Sequence, residues 1–386
     1  MFPLTLRRFL KHSAACLLVA AVVLASCVGE RVEVCNRKGI DFRYATLLRG
    51  ERTDSFVRID VLDPWDTSQV AMTYVLVPRS HNVPTALPHG TLVRTPLQRL
   101  VAFSAVHASL CNELGRLSHV SGVCDAEYVG SAALKKALHN GTLRNFGSAM
   151  QPSTEQIIQA GADALLISPF RDRVPGPAER LGIPVIACAD YMEASPLARA
   201  EWVKFFGLLL NCESTADSIF ARVEKTYNDL KATAAHVKQR PTLMIDLKTG
   251  PVWYVAGGRS TMGTLYHDAG LTYQFADNAE RGSVALDFEQ VFSRCAQSEY
   301  WLIKYGEATD KTYASLLLDE PRYRHFRPWR ERHIACCNTL RTPYYEETPF
   351  HPERLLSELI YTFHPELRPT AFQPRYIFPL QEQQTR

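Results

Sequence analysis

The chain is 386 residues long, 46% hydrophobic and 22% charged, the composition of a globular protein with length for two domains of ordinary size. Its 43 lysines and arginines nearly balance 40 aspartates and glutamates, which excludes the strongly basic surface that a nucleic-acid partner favours. Ten cysteines without CxxC spacing exclude a zinc ribbon or a thioredoxin-like redox motif.

At the N-terminus Arg7, Arg8 and Lys11 precede an apolar run from Ala14 to Ala25. That run is too short for a spanning helix, which needs roughly 20 residues. A basic head, a short apolar run and a small-residue end predict a secretory signal peptide over residues 1–26. The run closes on Leu24-Ala25-Ser26-Cys27, which resembles a bacterial lipobox and makes Cys27 the expected lipidation site. An ordinary cleaved signal with an incidental cysteine is the competing account. Cleavage would remove three of the 43 basic residues and no acid, leaving 40 of each sign. Membrane attachment is then expected from acyl chains rather than a polybasic patch. The expected location is the periplasmic side of a bacterial membrane, as a lipid-anchored monomer with no nucleic-acid partner. Beyond Cys16 and Cys27, pairing among the other cysteines is open. Cys188, Cys336 and Cys337 lie in strand-like runs and read as buried apolar residues.

Residues 27–95 read as a lipidated tether followed by a β-hairpin extension. Phe56–Val61 and Thr73–Val77 alternate like strands, and Asp63-Pro64-Trp65-Asp66 lies between them as a turn. From about Leu100 short buried strands alternate with helices, the texture of a parallel α/β sheet. Leu100–Ser104, Ala164–Ser168 and Pro184–Ala189 belong to a first lobe over 96–205. Thr242–Asp246, Tyr300–Lys304 and His333–Cys337 belong to a second over 240–386. Between them Ser195-Pro196 opens a helix, Asn211-Cys212 breaks it, and a second helix is expected from about Ser214 to Gln239. Ala216, Ile219, Phe220, Val223, Tyr227 and Leu230 form one stripe along it. The expected fold is α/β: two Rossmann-like lobes with parallel sheets, joined by one long rigid helix within 206–239, plus the N-terminal β-hairpin extension. Ser153 with Gln156 and Asp287 with Gln290 are matching capping-box starts, each before a buried strand, a weak echo of one lobe in the other.

Several runs carry a family resemblance. Arg99-Leu100-Val101-Ala102-Phe103-Ser104 with Leu110, Leu114 and Gly115 resembles the first strand and helix of siderophore- and cobalamin-binding periplasmic proteins. Met150-Gln151-Pro152, Glu155-Gln156-Ile157, Asp163–Ile167 and Leu181–Val185 resemble the later units of the same lobe. Asp190-Tyr191-Met192-Glu193, Ser195–Trp202, Trp253–Gly258 and Phe363–Leu367 are similar to iron-chelate-binding members in particular. The resemblance covers about residues 40–380 and implies a class III periplasmic binding protein, a non-enzymatic receptor that delivers an iron chelate to an ABC permease. Cobalamin is the rival ligand, and a haem- or metal-handling chaperone or enzyme on the same fold is the rival class. The resemblance also implies that Glu155 and Glu289 dock onto the permease, although an acid in a first helical turn also complements the helix dipole.

Ligands of open α/β sheets lie beyond the carboxyl ends of the strands. That rule selects Ser104, His107, Phe170, Arg171, Tyr191 and Glu193 on the first lobe, and Lys248 and Tyr305 on the second. Trp253, Tyr254 and Arg259 join them through a loop whose Gly257 and Gly258 would let backbone approach a ligand. The expected ligand-binding set is His107, Arg171, Tyr191, Trp253, Tyr254 and Arg259. Aromatic faces would cover a bulky chelate, and guanidinium forks would pair with its carboxylate or catecholate oxygens. No resident cofactor, catalytic residue or bare-metal site is expected, since P-loop, GxGxxG, GxSxG and HExxH patterns are absent.

Overall fold

The computed structural model describes residues 38–171, 176–177 and 180–382; the expected signal peptide, Cys27 and Cys35 lie outside them. Met1–Lys38 and Gly39–Arg386 are separate units of contact, and the second carries the fold.

Strands β1 (Lys38–Ile40), β2 (Leu48–Arg52), β3 (Val57–Leu62), β4 (Val70–Pro78) and β5 (Thr91–Thr95) form a five-stranded sheet in sequence order. β2, β3 and β4 are an antiparallel meander, and β5 adds parallel to β4. The expected hairpin is therefore the centre of a larger sheet. Along β3, Val57, Ile59 and Val61 are buried while Arg58 and Asp60 are not, the period-2 pattern of a half-buried strand.

The first lobe is a parallel sheet of β6 (Leu100–Ala102), β7 (Val120–Val123), β8 (Arg144–Asn145), β11 (Ala164–Ile167) and β12 (Val185–Ala187), in the order β12-β11-β6-β7-β8. A two-residue ladder, β9 (Gly147–Ser148) with β10 (Gln151–Pro152), lies in the following loop. Leu100, Ala102, Ala164 and Leu166 join one hydrophobic cluster, and Val101, Phe103, Leu165 and Ile167 join another. Both faces are thus covered, which is why these strands read as unbroken apolar runs.

In the second lobe β13 (Thr242–Ile245), β16 (Thr272–Tyr273), β18 (Tyr300–Tyr305) and β19 (Ile334–Asn338) are parallel, and β20 (Phe378–Pro379) closes the edge antiparallel, in the order β16-β13-β18-β19-β20. A separate antiparallel sheet joins β14 (Lys248–Thr249), β15 (Val252–Ala256) and β17 (Ser283–Leu286).

Between the lobes run helices Pro196–Glu201, Val203–Leu209 and Glu213–Ala235. Ser195 caps the first through the Ala198 N–H. Asn211 takes a left-handed φ of 51° at the break, a conformation that asparagine tolerates. The 23-residue helix Glu213–Ala235 buries Ala216, Ile219, Phe220, Val223, Tyr227 and Ala234. Leu230, the last residue of the expected stripe, is half-buried against the same core. All seven cysteines among the described residues are buried free thiols.

Two buried carboxylates fasten the N-terminal sheet to this region. Glu201 accepts from the backbone N–H of Arg43, Tyr44 and Ala45 at 3.0, 2.7 and 2.8 Å and from Lys204 at 2.7 Å. Glu193 accepts from the N–H and hydroxyl of Thr46, the N–H of Leu47 and the indole of Trp202. A second fastening joins the lobes. His351 donates from Nε2 to Glu113 of the first lobe at 2.6 Å and from Nδ1 to Glu353 at 2.8 Å, and it is 3% exposed. Burial alone would lower the pKa of His351, but the hydrogen bonds to Glu113 and Glu353 outweigh it and hold the pKa above the ordinary value. Nearby, Glu346 accepts from the Gly130 N–H of the first lobe at 2.9 Å. A Cβ on Gly130 would stand 2.6 Å from that carboxylate and would displace it from the hydrogen bond.

Two consequences are measurable. Glu201→Gln replaces an acceptor oxygen by a donor facing N–H groups, and is expected to lower unfolding free energy by about 3 kcal/mol in urea titration. A loss below about 0.5 kcal/mol would mean that the clamp contributes nothing, since that is the range of an ordinary surface change. A histidine whose folded pKa is raised contributes stability that is complete below its unfolded pKa and disappears as pH rises through the folded one. Wild type should therefore lose stability above about pH 6.5, and His351→Gln should be weaker at pH 6 with a flatter profile from there to pH 9. Parallel profiles would remove His351 as the titrating group.

Candidate ligand-binding cleft

Both parallel sheets end on one cleft. On the second lobe a cavity of about 730 Å³ lies past the ends of β13 and β18, lined by Asp246, Tyr254, Lys304, Tyr305 and Tyr345 among others. A neighbouring cavity of about 570 Å³ has walls from both lobes: Phe103, Ser104, Asp125 and Tyr128 from the first, Leu340 and Tyr345 from the second. The two share Gly306, Thr339 and Tyr345. A third, of about 290 Å³, continues along the first lobe past Ser168, Phe170 and Tyr191, and shares Ser104 and Val106 with the second. The three are parts of one trough across the strand ends, as the switch-point rule requires.

Its lining is aromatic. Tyr128, Tyr254 and Tyr345 are 65, 51 and 58% exposed, and Phe170 and Tyr191 are also exposed. Lys304 lies near the floor, 3.3 Å from Asp246, each about one-fifth exposed. Burial opposes the charge of Lys304, but Asp246 and the oxygens of Tyr344, Tyr266 and Tyr345 hold its pKa well above the ordinary value, so the ammonium stays charged.

The residues selected from the sequence divide. Tyr254 and Tyr191 line the trough, although the Tyr191 hydroxyl already donates to the Pro169 carbonyl. His107 reaches the smallest cavity but is 2% exposed, with Nε2 3.0 Å from Asp190, which also pairs with Arg199 at 3.0 Å. Burial would raise Asp190, but Arg199 and His107 outweigh it and keep the carboxyl below its usual range. Arg171 is exposed and follows Phe170 but lines none of the three cavities; its guanidinium lies 5.8 Å from the ring centre of Trp65.

Trp253 is not a cleft residue. It is fully buried, donates to the Ile245 carbonyl at 3.1 Å and stacks on Trp301. On β15 it alternates with Tyr254, so only one of the two faces the trough. Arg259 is exposed but lines none of the three cavities. Gly257 and Gly258 are needed for the chain itself: a Cβ would fall 2.2 Å from the Glu280 carbonyl and 2.3 Å from that of Ala276. Glu193 is spent on Thr46 and Leu47.

Sequence reasoning missed Tyr128, Lys304, Thr339 and Tyr345. Tyr128 follows β7, whose Val-Ser-Gly-Val run is too short and too interrupted to read as a strand. Thr339 follows β19 and was within reach of the strand-end rule, and Tyr345 comes a few residues later beside Pro343. Glu155 and Glu289 are exposed in the first turns of helices Thr154–Gln159 and Phe288–Cys295, one on each lobe. Glu155 accepts from Gln159 at 3.0 Å, and Glu289 pairs with Arg322 at 3.0 Å.

Solved proteins share this fold. An uncharacterized lipoprotein of Methanocaldococcus jannaschii is 24% identical over 287 residues, 71% of this chain and 67% of its own. A solved ABC-type Fe3+-hydroxamate transport system from Saccharomonospora viridis matches with a TM-score of 0.56 at 18% identity, covering 70% of this chain and 94% of that one. A periplasmic heme-binding protein from Pseudomonas aeruginosa matches with a TM-score of 0.56 at 17% identity, covering 72% and 96%. Residues 117–339, more than half of the chain, match the family described as periplasmic binding protein. With two parallel-sheet lobes on either side of one long helix and a trough across their strand ends, the chain belongs to the periplasmic binding protein family, in its class III form.

Proposed function

We propose that this protein is a membrane-anchored receptor that captures a bulky iron chelate, a ferric siderophore or haem, between its lobes and hands it unaltered to an ABC permease. The observation that carries the reading is the exposed aromatic lining of the trough, Tyr128, Tyr254 and Tyr345 above all. Exposed aromatics gathered in one concavity mark a binding surface, and they suit a ligand with a large apolar periphery. Lys304 at the floor, paired with Asp246, keeps N–H donors that can reach an oxygen of the ligand. Structural neighbours described as hydroxamate-transport and heme-binding proteins support the same ligand class. Anchoring through Cys27 draws support from the Methanocaldococcus relative, which is named a lipoprotein.

Titration with haem, ferric siderophores and cobalamin, with free ferric and zinc ions as controls, tests the reading. Saturable submicromolar binding of one iron chelate and not of free ions is expected. Binding of cobalamin alone would move the protein to that ligand, chemical change of the chelate would make it an enzyme, and silence toward all of them would end the receptor reading. Tyr254→Ala and Tyr345→Ala should each weaken binding about tenfold. Both rings are more than half exposed, so melting temperature should hardly move.

Glu155 and Glu289 are proposed as the permease-docking pair, one on each lobe. Glu289 would have to exchange Arg322 for a permease cation. Reversing both charges to lysine should abolish uptake in cells while the affinity for the chelate stays within about twofold, because neither residue lines the trough. Lost affinity with normal uptake would refute the assignment.

A further inference from the structure

The N-terminal sheet lies outside the region matched by the family, residues 117–339, and its attachment to the first lobe fixes where its turns point. Just past the end of β4, Arg79 pairs with Asp163 at 2.7 Å, the residue preceding β11. Midway along β4, the hydroxyl of Tyr74 receives the N–H of Ala187, the last residue of β12, at 2.7 Å. β4 therefore ends at the amino ends of the lobe strands and starts beyond their carboxyl ends. Four residues separate Tyr74 from Val70, and at ~3.3 Å each this carries the β3–β4 turn roughly 13 Å further, to the rim of the trough.

The turn is stiff and presents an indole. The Asp63 carboxylate accepts from the N–H of Trp65 at 2.7 Å and of Asp66 at 3.2 Å. Asp66 in turn accepts from Ser68 at 2.6 Å and Gln69 at 2.7 Å. Trp65 is 36% exposed, whereas Trp202, Trp253 and Trp301 are fully buried. Its ring meets the guanidinium of Arg171, which follows directly on Phe170, a wall of the first-lobe end of the trough. Tyr191 lies on the same wall.

We propose that the β3–β4 turn is part of the ligand site: Trp65, steadied by Arg171, offers an outer stacking face at the first-lobe end of the trough and selects wide planar ligands over compact ones. The inference rests on the receptor reading above. A flat π-system that projects past Phe170 and Tyr191 would meet the indole, while a compact octahedral chelate seated further inside would not. A guanidinium held over a ring by cation–π attraction keeps its N–H donors, so Arg171 can hold the indole and still pair with an anionic edge of the ligand.

The test uses the full chain in detergent, wild type and Trp65→Phe and Trp65→Ala, with gallium(III) protoporphyrin as the planar probe and a gallium(III) tris-hydroxamate as the compact one. Affinity is read from probe absorbance or competition, and the chain carries 5-fluorotryptophan so that Trp65 gives its own fluorine resonance, assigned by its loss in Trp65→Phe. The planar probe is expected to shift that resonance in wild type. Trp65→Ala should bind it about tenfold more weakly, with Trp65→Phe within about threefold of wild type and the compact probe unaffected. If wild type binds but the Trp65 resonance stays in place, or if Trp65→Ala binds the planar probe as well as wild type, the rim proposal is overturned and the receptor reading stands. Equal weakening of both probes, or binding of the compact probe alone, overturns the selection for planar ligands. Wild-type silence toward both probes overturns the rim proposal, and silence toward haem and the ferric siderophores as well overturns the receptor reading with it.

Discussion

The placement of the segment between β1 and β2 depends on Glu193 and Glu201. Buried backbone N–H groups need acceptors, and residues 43–47 lie between β1 and β2, outside any strand. The two carboxylates supply those acceptors, five backbone N–H groups between them. Both belong to the turn and helix that lead out of β12 toward the long linking helix. The hydroxyl of Thr261, in the second lobe, donates to the Glu193 carbonyl at 2.7 Å. One short stretch of chain thus holds the N-terminal sheet, the first lobe and the second lobe in a single relation.

Much of this architecture is legible in the sequence because a doubly covered parallel sheet leaves unambiguous apolar runs. Ala164–Ile167, Thr242–Ile245 and Tyr300–Tyr305 fall within a residue of where the pattern puts them. The linking helix is plain over most of its length, since its buried stripe keeps the 3.6 period, although it ends at Ala235 and not near Gln239 as expected. What fails is the short and the non-local. β7 is four residues with a serine and a glycine inside. β14, β15 and β17 draw on segments some thirty residues apart, and β5 becomes a strand only through its parallel pairing with β4. None of these leaves a local period to read.

The binding surface is legible in part, for a related reason. The strand-end rule locates the right end of each sheet, which is how Tyr191 and Tyr254 are found. It cannot say which of two neighbours faces the trough, and so Trp253, one residue from Tyr254, is selected although it belongs to the aromatic core with Trp301 and Tyr323. A pair of glycines carries the same ambiguity: Gly257 and Gly258 signal a close approach without naming what approaches, and here it is the backbone of 276–282. Glu193 sits at a strand end and is nevertheless a structural acceptor, because its donors come from a segment nearly 150 positions away in sequence.

Where selectivity resides follows from how firmly the lobes are joined. One hydrophobic cluster runs through both lobes and the linking helix without a gap. Helix Pro352–Phe363 packs on Glu213–Ala235, His351 is gripped from both lobes, and Glu346 reaches the backbone of Gly130. Opening the cleft widely would separate Glu113 from a buried imidazole and strand a buried carboxylate, each a loss of several kcal/mol. A receptor built this way gains little specificity by closing around its ligand, so discrimination falls to walls already in place. The floor and sides of the trough come from the strand ends common to both lobes. The N-terminal sheet, outside the region matched by the family, adds a stiff, exposed turn whose Trp65 meets Arg171, the neighbour of Phe170. In a cleft that does not clamp, the proposed rim contact of Trp65 would act on ligand shape without any closing motion.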